Sequence, residues 1–501
     1  MYDTLMRDGA QTQGVDFTVN DKIEVAQEID RLGIDYIEAG FPGANPTDDE
    51  FFANAPKLKN SKLVAFGMTH KCGIKPEEDK KLKAVAECNA EIACIFGKSW
   101  DFHVENALGI TLEENISIVE SSIKYLISKG KRVFFDCEHF FDGFKKNKEY
   151  AIKVAVTALE SGAEYVIPCD TNGGTLPFEV YDIITEMLNY IPPEKLGIHC
   201  HNDTENAVAN SLAAVRAGAT QVQGTINGYG ERCGNANLVA IIPSLKLKMD
   251  YDISVNDEQL KLLKKTSDLL DERLNRAHYR HAAYVGDSAF AHKGGLHVSA
   301  VNKNPIAYEH VEPETVGNKR LIVVSDQAGR SNIVNRLKSF NIEADNDKIS
   351  QLVEIIKNNE NEGYAYDYAD ASFEVLARKV VNNMQQYYEV QSFRIIDERR
   401  KNALGEFVNV AEATAKVIVD DQAHNEIAEG NGPVDALSKA IKKALYKKYP
   451  IIEDMHLIDY KVRIMKRERG TGAVTRVQIE SRDSRGNRWN TIGVSSNILD
   501  A

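Results

Sequence analysis

From its start to about residue 240 the chain repeats one pattern, and that repeat restricts the folds open to it. Short apolar runs at residues 36–39, 63–67, 92–96, 132–137, 165–169, 196–199 and 221–224 alternate with longer stretches, and residues 1–5 add an eighth. Uninterrupted apolar runs of this size suit strands covered on both faces, as in a parallel sheet. Between them, residues 21–32, 112–128 and 147–161 space their apolar side chains by three and four, the mark of an amphipathic helix. Gly33, Gly130, Gly162 and Gly218 follow the last helical turns, where a left-handed cap is expected. Eight βα units in about 240 residues predict an α/β fold, a (β/α)8 barrel. A doubly wound sheet, the competing account, needs neither the even spacing nor eight strands.

A barrel enzyme gathers its chemistry at the C-terminal ends of several strands. Those ends carry Arg7 and Asp8, Glu38, His70, Lys98, Glu138 and His139, Asp170 and Thr171, His199 and His201, and Asn227 and Glu231. The densest of them is Gly197-Ile198-His199-Cys200-His201-Asn202-Asp203. Residues i and i+2 of a strand point the same way, so His199 and His201 can hold one divalent ion while Cys200 faces the opposite side. A lone His-x-His also fits two packed imidazoles. Its place at a barrel mouth, with Arg7-Asp8-Gly9 at another strand end, points to a metal-dependent enzyme. Asp136 shares a strand face with Glu138 and extends the polar lining inward. The glycine-rich stretch 228–234 lacks a P-loop lysine and is expected to be a tight turn that places Asn235.

At 501 residues the chain exceeds a single core and calls for two to four domains. A net charge of −13 argues against a nucleic-acid or anionic-membrane surface. No apolar run is long enough to span a bilayer, and Met1-Tyr2-Asp3-Thr4 has no export-signal character. Seven cysteines without a Cys-x-x-Cys pair fit a reducing, cytoplasmic setting.

Past residue 250 the pattern changes. Residues 257–275 are expected to form one amphipathic helix, 278–317 a loop-rich, histidine-rich segment, and 331–384 helices with a polar turn near 358–363. Strands are expected at 392–397, 406–420, 455–466 and 473–481, with a helix at 433–446 opening on Gly432-Pro433 and glycine-rich corners at 430–433 and 470–472. The resulting division is a catalytic barrel (1–250), a linker subdomain whose loop completes the site (251–330), a helical subdomain (331–390) and a C-terminal α/β domain for regulation and dimerisation (391–501).

Four separated motifs then occur in a telling order: Tyr2-Asp3-Thr4 with Arg7-Asp8-Gly9, the stretch from Gly197 to Asp203, Gly228-Tyr229-Gly230-Glu231-Arg232-Cys233-Gly234-Asn235-Ala236, and Ala291-His292-Lys293-Gly294-Gly295-Leu296-His297. They resemble the acyltransferase family of 2-isopropylmalate, homocitrate and citramalate synthases, over nearly the whole chain. Phe96-Gly97-Lys98-Ser99-Trp100, Glu138-His139-Phe140-Phe141-Asp142-Gly143 and residues 169–177 are most similar to its citramalate branch. The resemblance implies a Claisen-type condensation of acetyl-CoA with a 2-keto acid, pyruvate for that branch. It makes Asp8, His199 and His201 ligands of Mg2+, Mn2+ or Zn2+, with Asn235 a further ligand through its carbonyl oxygen. Arg7 would face the reacting carbonyls, Thr171 would hold the keto-acid carboxylate, and Glu138 and His297 would move protons. It further implies a homodimer in which His297 reaches the partner's barrel, and an end-product effector, isoleucine, on the C-terminal domain. Aromatic crowding near Phe140 and Phe141 is expected to keep the acceptor pocket small. Leu5-Met6 stands where the family commonly has Thr-Leu, and both ends look trimmed relative to it. A bulkier acceptor (2-isopropylmalate synthesis), a carbon–carbon lyase and a small-molecule sensor on a dead barrel are the alternatives.

Overall fold

The computed structural model describes residues 1–322, 330–366, 369–401, 404–465 and 474–501. Eight parallel strands close into a barrel in chain order: β1 Tyr2–Asp3, β2 Tyr36–Gly40, β3 Lys62–Met68, β4 Ile92–Lys98, β5 Arg132–Glu138, β6 Tyr165–Asp170, β7 Gly197–Cys200 and β8 Gln221–Gly224. β1 pairs with β2 on one side and β8 on the other, so no sheet edge remains. These are the eight expected strands, although β1 is shorter than its apolar run. The backbone N–H groups of Arg7, Asp8 and Gly9 all turn back onto the carbonyl of Thr4, which ends the strand and starts the loop carrying Arg7 and Asp8.

The helices begin where side chains can satisfy their first N–H groups. Thr18 and Asp21 form a reciprocal capping box for Val19–Leu32, and Thr111 and Glu114 do the same for Leu112–Ser128. Gly33, at the end of the first of these helices, has φ 86°, a conformation that costs other residues energy.

Strand alternation divides the barrel's core in two. Ile37, Ile95, Phe135, Cys137, Ile198 and Val222 point outward into the apolar layer under the helices. Tyr2, Val64, Ile92, Phe134 and Ile167 point inward. Phe134 is the centre of that floor, with ring centroids 5.1 Å from Tyr36, 5.2 Å from Tyr165 and 6.2 Å from Tyr2. The barrel is therefore filled at this end. One inward layer further along, on β2, β5, β7 and β8, stand Glu38, Asp136, His199 and Gln223, all buried.

The chain packs as two compact units, Met1–Phe290 with His310–Arg320, and Ala291–Glu309 with Leu321–Ala501. In the first unit, the expected helix at 257–275 is broken into Asp257–Leu260 and Leu263–Arg273. The Leu262 N–H reaches the Gln259 carbonyl in a tighter turn, and Gly317 backs so closely onto the Lys261 carbonyl that a Cβ there would lie 2.0 Å from it. In the second unit, the segment expected to be loop holds a helix, Gly295–Lys303. Helices Arg330–Ser339, Asn346–Glu362 and Asp370–Asn382 share one apolar core. The polar turn expected at 358–363 is instead the last helical turn of Asn346–Glu362, which ends on Gly363.

Two three-stranded antiparallel sheets follow, β11 Glu389–Lys401, β12 Phe407–Val419 and β13 Gln422–Gly430, then β14 His456–Ile464, β15 Thr475–Arg482 and β16 Arg488–Ser495; β9 Ala291–His292 and β10 Leu321–Ile322 form a short parallel pair. Helix Pro433–Tyr446 covers the first sheet, with Ala436, Ala440 and Ala444 against Ala411, Ala413 and Ala415. β13 and β16 were not expected from the sequence, and the corner at 470–472 lies outside the described residues. Among the described residues no helix is long and apolar enough to cross a membrane.

One buried ion pair holds the loops of β1 and β2 together. The Lys22 ammonium donates to the carbonyls of Met6 and Ala39 and pairs with Asp48, whose other oxygen accepts the Phe41 N–H at 2.8 Å. Burial pushes Lys22 below the usual lysine range, with Asp48 partly offsetting it. Lys22→Met leaves Asp48 and two carbonyls without their cation, so barrel stability should fall by about 3 kcal/mol. Chemical denaturation followed by near-UV circular dichroism measures this.

Candidate active site

His199 and His201 stand two residues apart at the end of β7, and Cys200 between them is buried in the outer apolar layer. The two Nε2 atoms face each other at 3.3 Å, and Asp8 Oδ2 lies 3.3 Å from His199 Nε2. One donor atom from each of Asp8, His199 and His201 falls within 4.8 Å of the others, and all three residues are buried. Asn235 joins them from the loop after β8, its Nδ2 donating to Asp8 Oδ2 at 2.7 Å and lying 3.3 Å from His199 Nε2. Asn235 Oδ1 is buried with no hydrogen-bond partner. A half-turn of that amide brings an oxygen to the cluster. Two imidazole nitrogens, a carboxylate and, after that half-turn, an amide oxygen form a buried donor set suited to a divalent cation.

The charges are arranged accordingly. Burial alone would raise Asp8, but the Arg7 guanidinium and the neighbouring imidazoles hold its carboxyl well below the usual range. Burial and the proximity of His199 push His201 down to about 3. Burial also opposes protonation of His199, yet its contact with Asp8 outweighs that and raises it.

Arg7 is held on three sides. Its Nε donates to Glu38, its Nη1 lies 3.5 Å from Asp8 Oδ1, and its guanidinium sits 3.7 Å above the Phe66 ring. The Tyr2 hydroxyl donates to the other oxygen of Glu38. At the end of β5 Glu138 pairs with Lys98, while its carbonyl accepts the Ser99 hydroxyl at 2.7 Å. Thr171 Oγ1 accepts the His139 N–H at 2.8 Å, which ties β6 to β5. His297 belongs to the second unit, in the first turn of Gly295–Lys303 instead of the expected loop, and its ring stacks on Tyr308 at 4.1 Å.

Several other strand-end groups serve structure. The two ring nitrogens of His70 engage Ser121 and the Lys71 carbonyl. Asn227 is tied to Asp271 and Ser267, and Asp170 to Thr175. His139 packs its ring 4.2 Å from His103, on which Trp100 stacks. Phe140 and Phe141 are fully buried in the layer between strands and helices, so they cannot crowd an acceptor pocket as expected. The reason is local: the left-handed backbone of His139 (φ 57°) turns the chain from strand into helix and sends both rings outward. Gln223, which the sequence did not single out, accepts from His199 Nδ1 at 2.8 Å.

Comparison with known proteins places this geometry. Residues 1–269 match the HMGL-like family, residues 284–363 the homocitrate synthase post-HMGL domain-like family, and residues 367–501 the LeuA allosteric (dimerisation) domain. The chain belongs to the HMGL-like family and, within it, to the group of 2-isopropylmalate and homocitrate synthases. It is 48% identical to the (R)-citramalate synthase of Geobacter sulfurreducens, over 100% of this chain and 94% of that protein. It is 47% identical to that of Aquifex aeolicus, over 100% and 95%. A probable 2-isopropylmalate synthase of Methanopyrus kandleri is more distant, 32% identical over 100% and 95%.

The loop that carries Asn235 offers a direct test. A Cβ on Gly230 would lie 1.8 Å from Asn235 Oδ1, so Gly230→Ala must displace that amide. Mn2+ affinity should fall on the order of tenfold while circular dichroism stays unchanged. Equilibrium dialysis reads the first quantity.

Proposed function

We propose that the protein is an (R)-citramalate synthase, joining the acetyl group of acetyl-CoA to the ketone carbon of pyruvate and hydrolysing the thioester to release CoA. This is the first step of a pyruvate route to isoleucine. The observation that carries the reading is the full-length similarity to (R)-citramalate synthases at 48%, against 32% for a 2-isopropylmalate synthase.

In this reading Asp8, His199 and His201 hold a divalent ion, with Asn235 as a further ligand through its carbonyl oxygen. The donor set suits Mg2+, Mn2+ or Zn2+. When bound, the ion polarises the ketone and stabilises the alkoxide that forms from it. Arg7, fixed by Glu38 and Phe66, presents positive charge to oxygen atoms on which charge develops. Thr171 Oγ1 already accepts the His139 N–H, so its own hydrogen is available to the keto-acid carboxylate. Glu138 and His297 share the proton transfers: one proton leaves the acetyl methyl as the carbon–carbon bond forms, and one is delivered to the alkoxide. Water then cleaves the carbon–sulfur bond and CoA leaves as the thiol.

The division of labour follows the four parts read from the sequence: 1–250 for chemistry, 251–330 to complete the site, 331–390 as a helical subdomain, and 391–501 for regulation and dimerisation. Isoleucine is the proposed effector and a homodimer the proposed assembly. An effector acting at a distance must bind one conformational state better than another.

Kinetics decide the substrate. The protein should release CoA from acetyl-CoA only with both a divalent ion and a 2-keto acid, with a higher kcat/KM for pyruvate than for 2-oxoisovalerate. The reverse preference would transfer the assignment to 2-isopropylmalate synthesis, and no turnover of either would favour a sensor. Glu138→Gln should retain metal and fold but lose on the order of 10² in kcat. Calorimetric titration should show isoleucine binding more tightly than leucine or valine; tight leucine binding would again favour 2-isopropylmalate synthesis.

A further inference from the structure

We propose that Gln223 and Asp136 are positioning residues that select which nitrogen of His199 is presented to the Asp8–His201 cluster. The proposal rests on the metal-site reading above and extends it to two residues that touch neither ion nor substrate. His199 Nδ1 lies 2.8 Å from Gln223 Oε1, and Gln223 Nε2 donates to Asp136 Oδ1 at 3.0 Å. All three side chains are buried inside the barrel, with Gln223 fully so. The chain crosses the interior from β7 through β8 to β5, with His199 and Gln223 directly opposite each other in register.

Each link sets the next. A carboxylate only accepts, so Asp136 draws the NH2 end of the Gln223 amide toward itself. That leaves the amide oxygen facing His199, and an oxygen can only accept from Nδ1–H. The hydrogen of neutral His199 is thereby kept on Nδ1, and the lone pair on Nε2 faces Asp8 and His201. Asp136 lies on β5 and Gln223 on β8, strands that are not neighbours, so the amide reaches across the interior to join Asp136 to His199.

A packing role and a positioning role make different predictions for Gln223→Met, which keeps volume and removes both hydrogen bonds, and Gln223→Glu, which keeps an acceptor at His199 and can share one proton with Asp136. The experiment compares Co2+ affinity and the visible Co2+ spectrum of wild type and variants, with metal-free thermal stability alongside. Gln223→Met should weaken Co2+ binding 10- to 100-fold and shift the spectrum, as expected when a partner of a ligating histidine is lost. Gln223→Glu should restore both toward wild type. Asp136→Leu frees the amide to turn over and should move affinity in the same direction as Gln223→Met. Unchanged affinity and spectrum in Gln223→Met overturns the proposal, as does a Gln223→Glu variant as poor as Gln223→Met. An unchanged Asp136→Leu variant removes Asp136 from the chain. If Gln223→Met does not fold, Gln223→Glu decides, since loss of Co2+ binding there overturns the proposal. If wild type itself binds no Co2+, the metal-site reading falls and this inference with it.

Discussion

Closure of eight parallel strands is the constraint on which everything else depends. Once the sheet has no edge and helices cover its outside, every strand sends alternate side chains into an interior with room for only a few layers. Register alone then decides what each layer contains. Along β5 the inward residues run Phe134, Asp136, Glu138; along β2, Tyr36, Glu38; along β7, Gly197, His199, and then His201 beyond the strand end. The aromatic floor and the polar upper layer are the same strands read two residues apart. Pairing is favoured for a group placed this way, because a buried polar atom without a partner costs about 1–3 kcal/mol. Several interior polar groups pair accordingly: Tyr2 and Arg7 with Glu38, and Gln223 with Asp136.

That dry interior also determines protonation. Burial raises the carboxyls of Glu38 and Asp136, and carries Asp3, which accepts N–H groups from Leu5 and Ile226, up to about 7. Asp8 moves the other way because Arg7 lies beside it. His201 is driven toward its neutral form by the same burial and by His199. An ionised carboxylate next to a neutral imidazole is the state that cation binding requires, since each ligand must first give up its proton.

Much of this was legible in the sequence, and the failures have identifiable causes. The barrel strands could be read because strands buried on both faces need apolar runs that surface strands lack. β13 was missed because its polar sequence hides an alternating strand and because its hairpin turns on Asp420-Asp421, with φ 49° and 62°, instead of the glycine-containing pair such turns favour. The break after Leu260 packs Lys261 against Gly317, a contact 56 positions away that helical periodicity cannot see. At the site, the i, i+2 spacing of His199 and His201 was enough to place both on one face, whereas bringing Asp8 to them required the closed barrel. Gln223 carried a usable signal. In a closed parallel barrel no strand face meets water, so glutamines at 221 and 223 must both point inward. The outward path of Phe140 and Phe141 could not be read, since it turns on the backbone angle of His139.

Asn235 shows how a loop can be held as firmly as a strand. Thr12 and Gly230 exchange hydrogen bonds at 2.8 and 3.1 Å, which ties the loop after β8 to the loop after β1. Arg232 clasps both oxygens of Asp203 and the carbonyl of Thr171, which ties it to the loops after β7 and β6. Arg232 has φ 58°, a left-handed conformation uncommon outside glycine, which the three hydrogen bonds of its guanidinium hold in place. Four loops thus converge on one amide, and the Asn235 N–H is itself bound to the Gly228 carbonyl at 3.1 Å. A ligand supplied by a mobile loop would have to lose its freedom each time a cation bound. Here folding has already ordered the backbone that carries Asn235, as it has that of the two histidines at the end of β7.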